Sequence, residues 1–354
     1  MTGSKQQPWI RNAAFDSALI LAPAFIAVIA ALLWHAYAPT NETPPWVWLL
    51  LVVGIDVAHV YSTLFKTYFR SSEFAARKSL FLTIPVAVLV VGILLFSTNA
   101  VLFWSILAYA AVFHFVRQQY GFLRIYSRAE KLQRPLLVNI DKLMVYGCTV
   151  LPVIWWHLAG DRTFNWLIKG DFLITANSEL AAMTLICLYA TWAIWSLKEC
   201  WVIFSTKFIN LPKVLIVLGT ALSWYFGIVH FNSDAVFTIT NVVAHGIPYL
   251  GLVWMTEQQD KHHAQRFIEH GPNIQTVPRL KISITAMLPI IIALAWFEEG
   301  LWSGLIFKEH GLFFPGFDAL PHISNHLILS IAVPLLAVPQ ATHYIIDGFI
   351  WKQK

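Results

Sequence analysis

The chain has 354 residues and a formal net charge of +5, with 58% hydrophobic and only 12% charged side chains. A soluble domain carries about 25% charged residues, so about half of the usual solvated surface is missing and a water-soluble globular fold is excluded. The small basic excess is not interleaved with any soluble nucleic-acid-binding pattern, so nucleic acid is not expected as a partner. Cys148, Cys187 and Cys200 show no CxxC spacing, which excludes a thiolate zinc site and a disulfide framework.

The apolar residues come in runs of about 20, the length a helix needs to cross hydrocarbon. In chain order the predicted spans are 15–37, 46–68, 79–97, 99–122, 140–158, 178–203, 212–231, 235–256, 281–299 and 323–349. The first run follows Lys5 and Arg11 and ends at Ala36-Tyr37-Ala38, which has the form of a signal-peptide cleavage box. Its apolar core exceeds the usual length of about 7–15 residues, and Pro39 would follow the cut, so it is read as a retained first helix. The second helix reads GIDVAHVYST, with Asp56 and His59 three apart; the fourth reads VFHFVRQQYG, with His114 and Gln118 four apart and Arg117 beside them. The eighth, ITNVVAHGIPYLGLVW, sets Asn241, His245 and Tyr249 at four-residue steps. The tenth, VPQATHYIIDGFIW, carries Gln340, His343 and Asp347, and Pro334 and Pro339 are expected to kink it and bring His343 level with the others. No internal repeat is evident. The expected fold is a single all-α transmembrane domain over 1–354, polytopic, with about ten helices.

With both termini in the cytoplasm, 21 of the 24 basic residues fall on the inside, leaving only Arg162, Lys169 and Lys308 outside. That asymmetry is what the positive-inside rule requires. It predicts both termini cytoplasmic, an even number of helices and an integral multi-pass protein, expected in a bacterial inner membrane. Helices 2, 4, 8 and 10 then all run from outside to inside.

Ionisable groups within a bilayer are expensive and mark function. Spacings of three and four place both side chains on one helical face, so each of these helices presents a histidine with a polar companion one turn away. One ligand and one orienting oxygen per helix is an economical way to build a metal site in a bundle. The candidate ligands are His59, His114, His245, His343, Asp56 and Asp347; Asn241, Arg117, Gln118 and Tyr249 are the candidate catalytic companions, Arg117 being placed to bind an anionic substrate group. Imidazole and carboxylate without cysteine suit iron, ahead of manganese or zinc. Other polar residues have plainer readings. His322 and His326 form an i, i+4 pair at the outer end of helix 10, and His262, His263 and His270 sit among charges as solvated surface. Glu298 and Glu299 lie near an aromatic belt without a clear partner, and Glu199 either reaches the cluster or pairs with Lys198.

A multi-pass layout with scattered helical histidines at His59, His114, His245 and His343 resembles the histidine-motif membrane oxygenases, including the bacterial carotene-cleaving group. The desaturase branch carries HxxxH and HxxHH boxes; this chain has one HxxxH, His322–His326, and no HxxHH. The resemblance implies an oxygenase, desaturase or hydroxylase acting on a lipid or other hydrophobic molecule from the cytoplasmic half of the bilayer. Any electrons come from another protein or from the substrate, since no flavin, nicotinamide or iron–sulfur motif is present. Three alternatives use the same residues. A membrane acyltransferase would take His245 as general base with Asn241 orienting it, a transporter would use the carboxylates and histidines as a proton relay, and a haem protein would use two facing histidines.

Overall fold

A computed structural model describes residues 6–38, 40–130, 132–270 and 284–351, and among these the side chains of all but 257–270 and 284. The described residues form helices and the connections between them and contain no strand. Among the described residues, nine helices are long and apolar enough to cross a membrane: α1 (Ala13–Tyr37), α2 (Pro45–Lys66), α3 (Lys78–Thr98), α4 (Ala100–Tyr126), α5 (Pro135–Ala159), α6 (Ser178–Thr206), α7 (Leu211–His230), α8 (span Asp234–Thr256) and α9 (Thr285–Phe307). The pair His326–Leu336 and Val338–Ile350, bent by 41° at its junction, makes a tenth span, α10, when taken as one element. These lengths and hydropathies are those of an integral membrane protein. The observed helices coincide with the ten predicted runs, with boundaries shifted where local chemistry decides. Helix α5 begins at Pro135, five residues before its apolar run, because a proline at the first helical position loses no hydrogen bond. Helix α8 continues beyond its apolar span to His270; the side chains of His262, His263 and His270 lie outside the described ones.

Several helices start on asparagine. The side chains of Asn12, Asn177, Asn210 and Asn325 accept backbone N–H bonds from the first turns of α1, α6, α7 and α10. Each satisfies a donor that the helix leaves without a partner.

The chain forms two compact units, one of Met1–Pro44 with Val112–Pro248 and one of Pro45–Ala111 with Tyr249–Lys354. In the first, α5 packs along α6, and α7 packs on α1 and α5. Gly147 permits the α5–α6 approach, since a Cβ there would lie 2.7 Å from the Thr191 methyl. In the second, α9 packs on α2, and α3 packs on both halves of α10. Gly92 of α3 faces Pro334, where a Cβ would lie 2.9 Å from the proline Cβ. The core of this unit gathers Val53, Phe65, Tyr249, Met287 and Phe314.

Burial sorts the helices by role. Only 17% of the α3 window is buried, against 83% of that of α8. Helix α3 therefore exposes an apolar surface of the kind that lipid covers, whereas α8 is mostly buried and can carry polar side chains at low cost.

Candidate metal centre

In the second unit, His59 follows a π-helical stretch, Leu49–Val57, inside α2. Such widened turns displace the residues that follow relative to a regular α-helix and often occur at functional sites. Asp56 lies in the last turn of that stretch, its Oδ1 3.6 Å from His59 Nδ1. His343 lies on the second half of α10, beyond the bend. Its Nδ1 shares a 2.7 Å hydrogen bond with Thr63 Oγ1 and stands 3.8 Å from Asp347 Oδ1. Tyr249 ties the group together: its hydroxyl donates to Asp347 at 2.7 Å and lies 3.0 Å from Thr63 Oγ1. The tyrosine ring meets both His59 and His343 edge-on, and the two imidazole centroids are 4.9 Å apart.

In the first unit, His114 of α4 and His245 of α8 have ring centroids 5.0 Å apart. His245 is stacked on Phe115 at 3.6 Å with its ring 10° from parallel. Pro248 explains the local backbone. Proline has no N–H, so the carbonyl of Ala244, four residues earlier, lacks its helical donor and takes the Gln119 side-chain amide at 3.4 Å. The Gln118 amide reaches the next carbonyl, that of His245, at 3.0 Å. The two glutamines of α4 thus fasten α8 at the turn that presents His245.

Each of the four buried histidines offers one ring nitrogen, and these atoms lie within 4.8 Å of one another. The group could hold a metal ion. No protein-family model matches the chain, and no curated protein or solved structure is significantly similar to it.

The remaining candidate residues fall around this group in different ways. Asp56 and Asp347 face the Nδ1 side of His59 and His343. Gln118 has a buried Oε1 that accepts no hydrogen bond among the described residues. Asn241 is buried and donates its amide to the Phe237 carbonyl at 2.9 Å. Arg117 is exposed; its guanidinium donates to the Tyr146 hydroxyl at 3.0 Å and lies over Tyr120. His322 and His326 are exposed, and His326 lies beside Phe96.

Thr63 escaped the sequence reading, although its place four residues after His59 puts it on the same face. One sequence reading is corrected, and another is decided between its two alternatives. Glu298 is buried, accepts a 2.5 Å hydrogen bond from the Tyr61 hydroxyl and lies 3.3 Å from Trp302 Nε1, so it has partners. Glu199 pairs with Lys213 as well as Lys198, each at 2.6 Å, on a separate ionic cluster.

Proposed function

We propose that this protein is a metal-dependent membrane oxidoreductase in which His59, His114, His245 and His343 hold one metal ion, iron ahead of manganese or zinc. The observation that carries the reading is the closeness of four buried imidazole nitrogens. Neutral imidazole is a good ligand for iron, zinc and copper. A surrounding of greasy helices favours a substrate that is itself hydrophobic, such as a lipid, entering from the cytoplasmic half of the bilayer. A bound ion would supply dioxygen activation. Hydroxylation would place one oxygen atom in the product and send the other to water, desaturation would send both to water, and either would draw an electron pair from a separate donor. A dioxygenase reaction places both oxygen atoms in product and needs none.

The chain's own residues bind, orient and exclude water. The Nδ1 of His343 is engaged by Thr63 and lies near Asp347, which presents Nε2 for ligation; Asp56 stands in the same relation to His59. Such partners fix the ring and raise its basicity. Phe115 covers one face of His245 and keeps that side of the site apolar. The buried Gln118 Oε1 is an acceptor available to a substrate hydroxyl or to bound water. Asn241 and Tyr249 support the two histidine-bearing helices, and Arg117 is available for an anionic group at the membrane boundary.

Elemental analysis of full-length protein, purified in detergent without chelator, tests this reading. About one transition-metal ion per chain is expected, with loss in a His59→Ala/His343→Ala double variant. Less than about 0.1 ion per chain, set against the tight binding that buried imidazole sites show, would sink it. A visible Soret band in the same sample would point to haem instead.

A further inference from the structure

A second polar cluster lies within the first unit, apart from the four histidines. Lys198 donates to Asp141 and to Glu199, each at 2.6 Å. Lys213 donates to Glu199 at 2.6 Å, pairs with Glu130 at 2.6 Å and lies 3.8 Å from Asp141. Trp195 and Asn210 add hydrogen bonds to Asp141 and Glu130. Three carboxylates therefore face two ammonium groups, and the cluster carries a formal charge of −1. An ionised group taken out of water requires a counter-charge, and among the described residues the cluster is one cation short.

The missing charge has a place to sit. A cavity of about 300 Å³ is lined by Glu130, Lys198 and Glu199 on its polar side and by Leu137, Val202 and Phe208 on its apolar side. Its volume is at the lower end of small-molecule sites, about 300–1,000 Å³. Glu199 is only 6% exposed, and both lysines bond to its Oε1, so Oε2 has no partner among the described residues. The lysine and asparagine bonds to Glu130 likewise use Oε1 alone. The walls come from the N-terminal segment at Gln6 and Pro8, the α4–α5 connection with the first turn of α5, and the last turns of α6 with the α6–α7 connection. If every span crosses, these connections lie on one side of the membrane, at headgroup depth.

We propose that this cavity binds an organic ammonium group, its charge on the unpartnered oxygens of Glu199 and Glu130 and its carbon chain against Leu137, Val202 and Phe208. The ammonium comes either from the headgroup of an ethanolamine lipid or from a free alkylamine. A bare metal ion would leave the apolar wall uncovered, and an anion would meet excess negative charge.

Native mass spectrometry of the full chain tests this, with phosphatidylethanolamine or phosphatidylglycerol offered in equal amounts. Melting curves with ethylammonium chloride, read against equal sodium chloride, form the second arm. Val202→Trp fills the cavity while leaving every ionic partner in place, and Glu199→Gln removes the charge. Retention of phosphatidylethanolamine over phosphatidylglycerol, reduced at least about tenfold in Val202→Trp, supports the proposal and names a lipid as the source. A melting shift with ethylammonium alone, lost in Val202→Trp, supports it and names a free amine. Preference for phosphatidylglycerol, equal binding in Val202→Trp, or no binding in either arm would overturn it. These outcomes are independent of metal content, and Val202→Trp keeps the test decisive should Glu199→Gln fail to fold.

Discussion

At the residue scale, the histidines are less informative than the groups that hold them. His343 has both Thr63 and Asp347 on its Nδ1 side, and Tyr249 bonds to both of those groups. Thr63→Val keeps the shape of the side chain and removes one hydroxyl. Outer-shell changes of this kind cost about 10–100-fold in metal affinity, and the variant is expected to fold normally while losing metal to a competing chelator about tenfold more readily. Asp347→Asn separates charge from shape, because its amide oxygen still accepts the Tyr249 hydrogen bond. Metal affinity is expected to fall by about 10–100-fold with little change in melting temperature. A fall in melting temperature without a change in affinity would make Asp347 a purely structural residue. The sequence made His59, His114, His245 and His343 legible because an ionisable group in an apolar run stands out. It hid Thr63, since threonine is common in membrane helices and only its i+4 relation to His59 marks it. Glu199 and Lys198 were ambiguous for a different reason: adjacent opposite charges read as a local pair, whereas Lys213 and Asp141 come from other helices.

At the element scale, proline and glycine decide where polar side chains can converge. Pro248 releases a carbonyl of α8 that Gln119 then takes. The bend of 41° in α10 falls between Pro334 and Pro339 and precedes His343. The prolines made both irregularities visible in the sequence. The π-helical stretch of α2 was not visible, because Leu49–Val57 has the composition of any apolar helix. Close packing between α3 and α10 rests on Gly92, opposite Pro334. Gly92→Leu is expected to destabilise the protein by about 1–3 kcal/mol, as overpacking does, seen as a lower melting temperature in detergent. An unchanged melting temperature would mean that this contact is slack in solution.

At the scale of the whole molecule, hydropathy and charge carried most of the fold. Each of the ten predicted runs corresponds to a helix or, for α10, to a bent pair, because a lipid surround leaves the backbone few choices besides helix. Orientation rests on the basic residues alone. The expectation is that reporters fused at either terminus score as cytoplasmic, and that a cysteine placed beside Lys308 is labelled only from outside. Labelling from the cytoplasmic face would invert the topology and with it the proposed side of substrate entry. The central claim concerns the four imidazoles as one ligand set, and X-ray absorption at the metal edge of the intact protein tests it most directly. A first shell dominated by imidazole nitrogen at about 2.0–2.2 Å, lost on substituting either His114 with His245 or His59 with His343, is the predicted result. A shell made only of oxygen, or a spectrum unchanged in those variants, would contradict it.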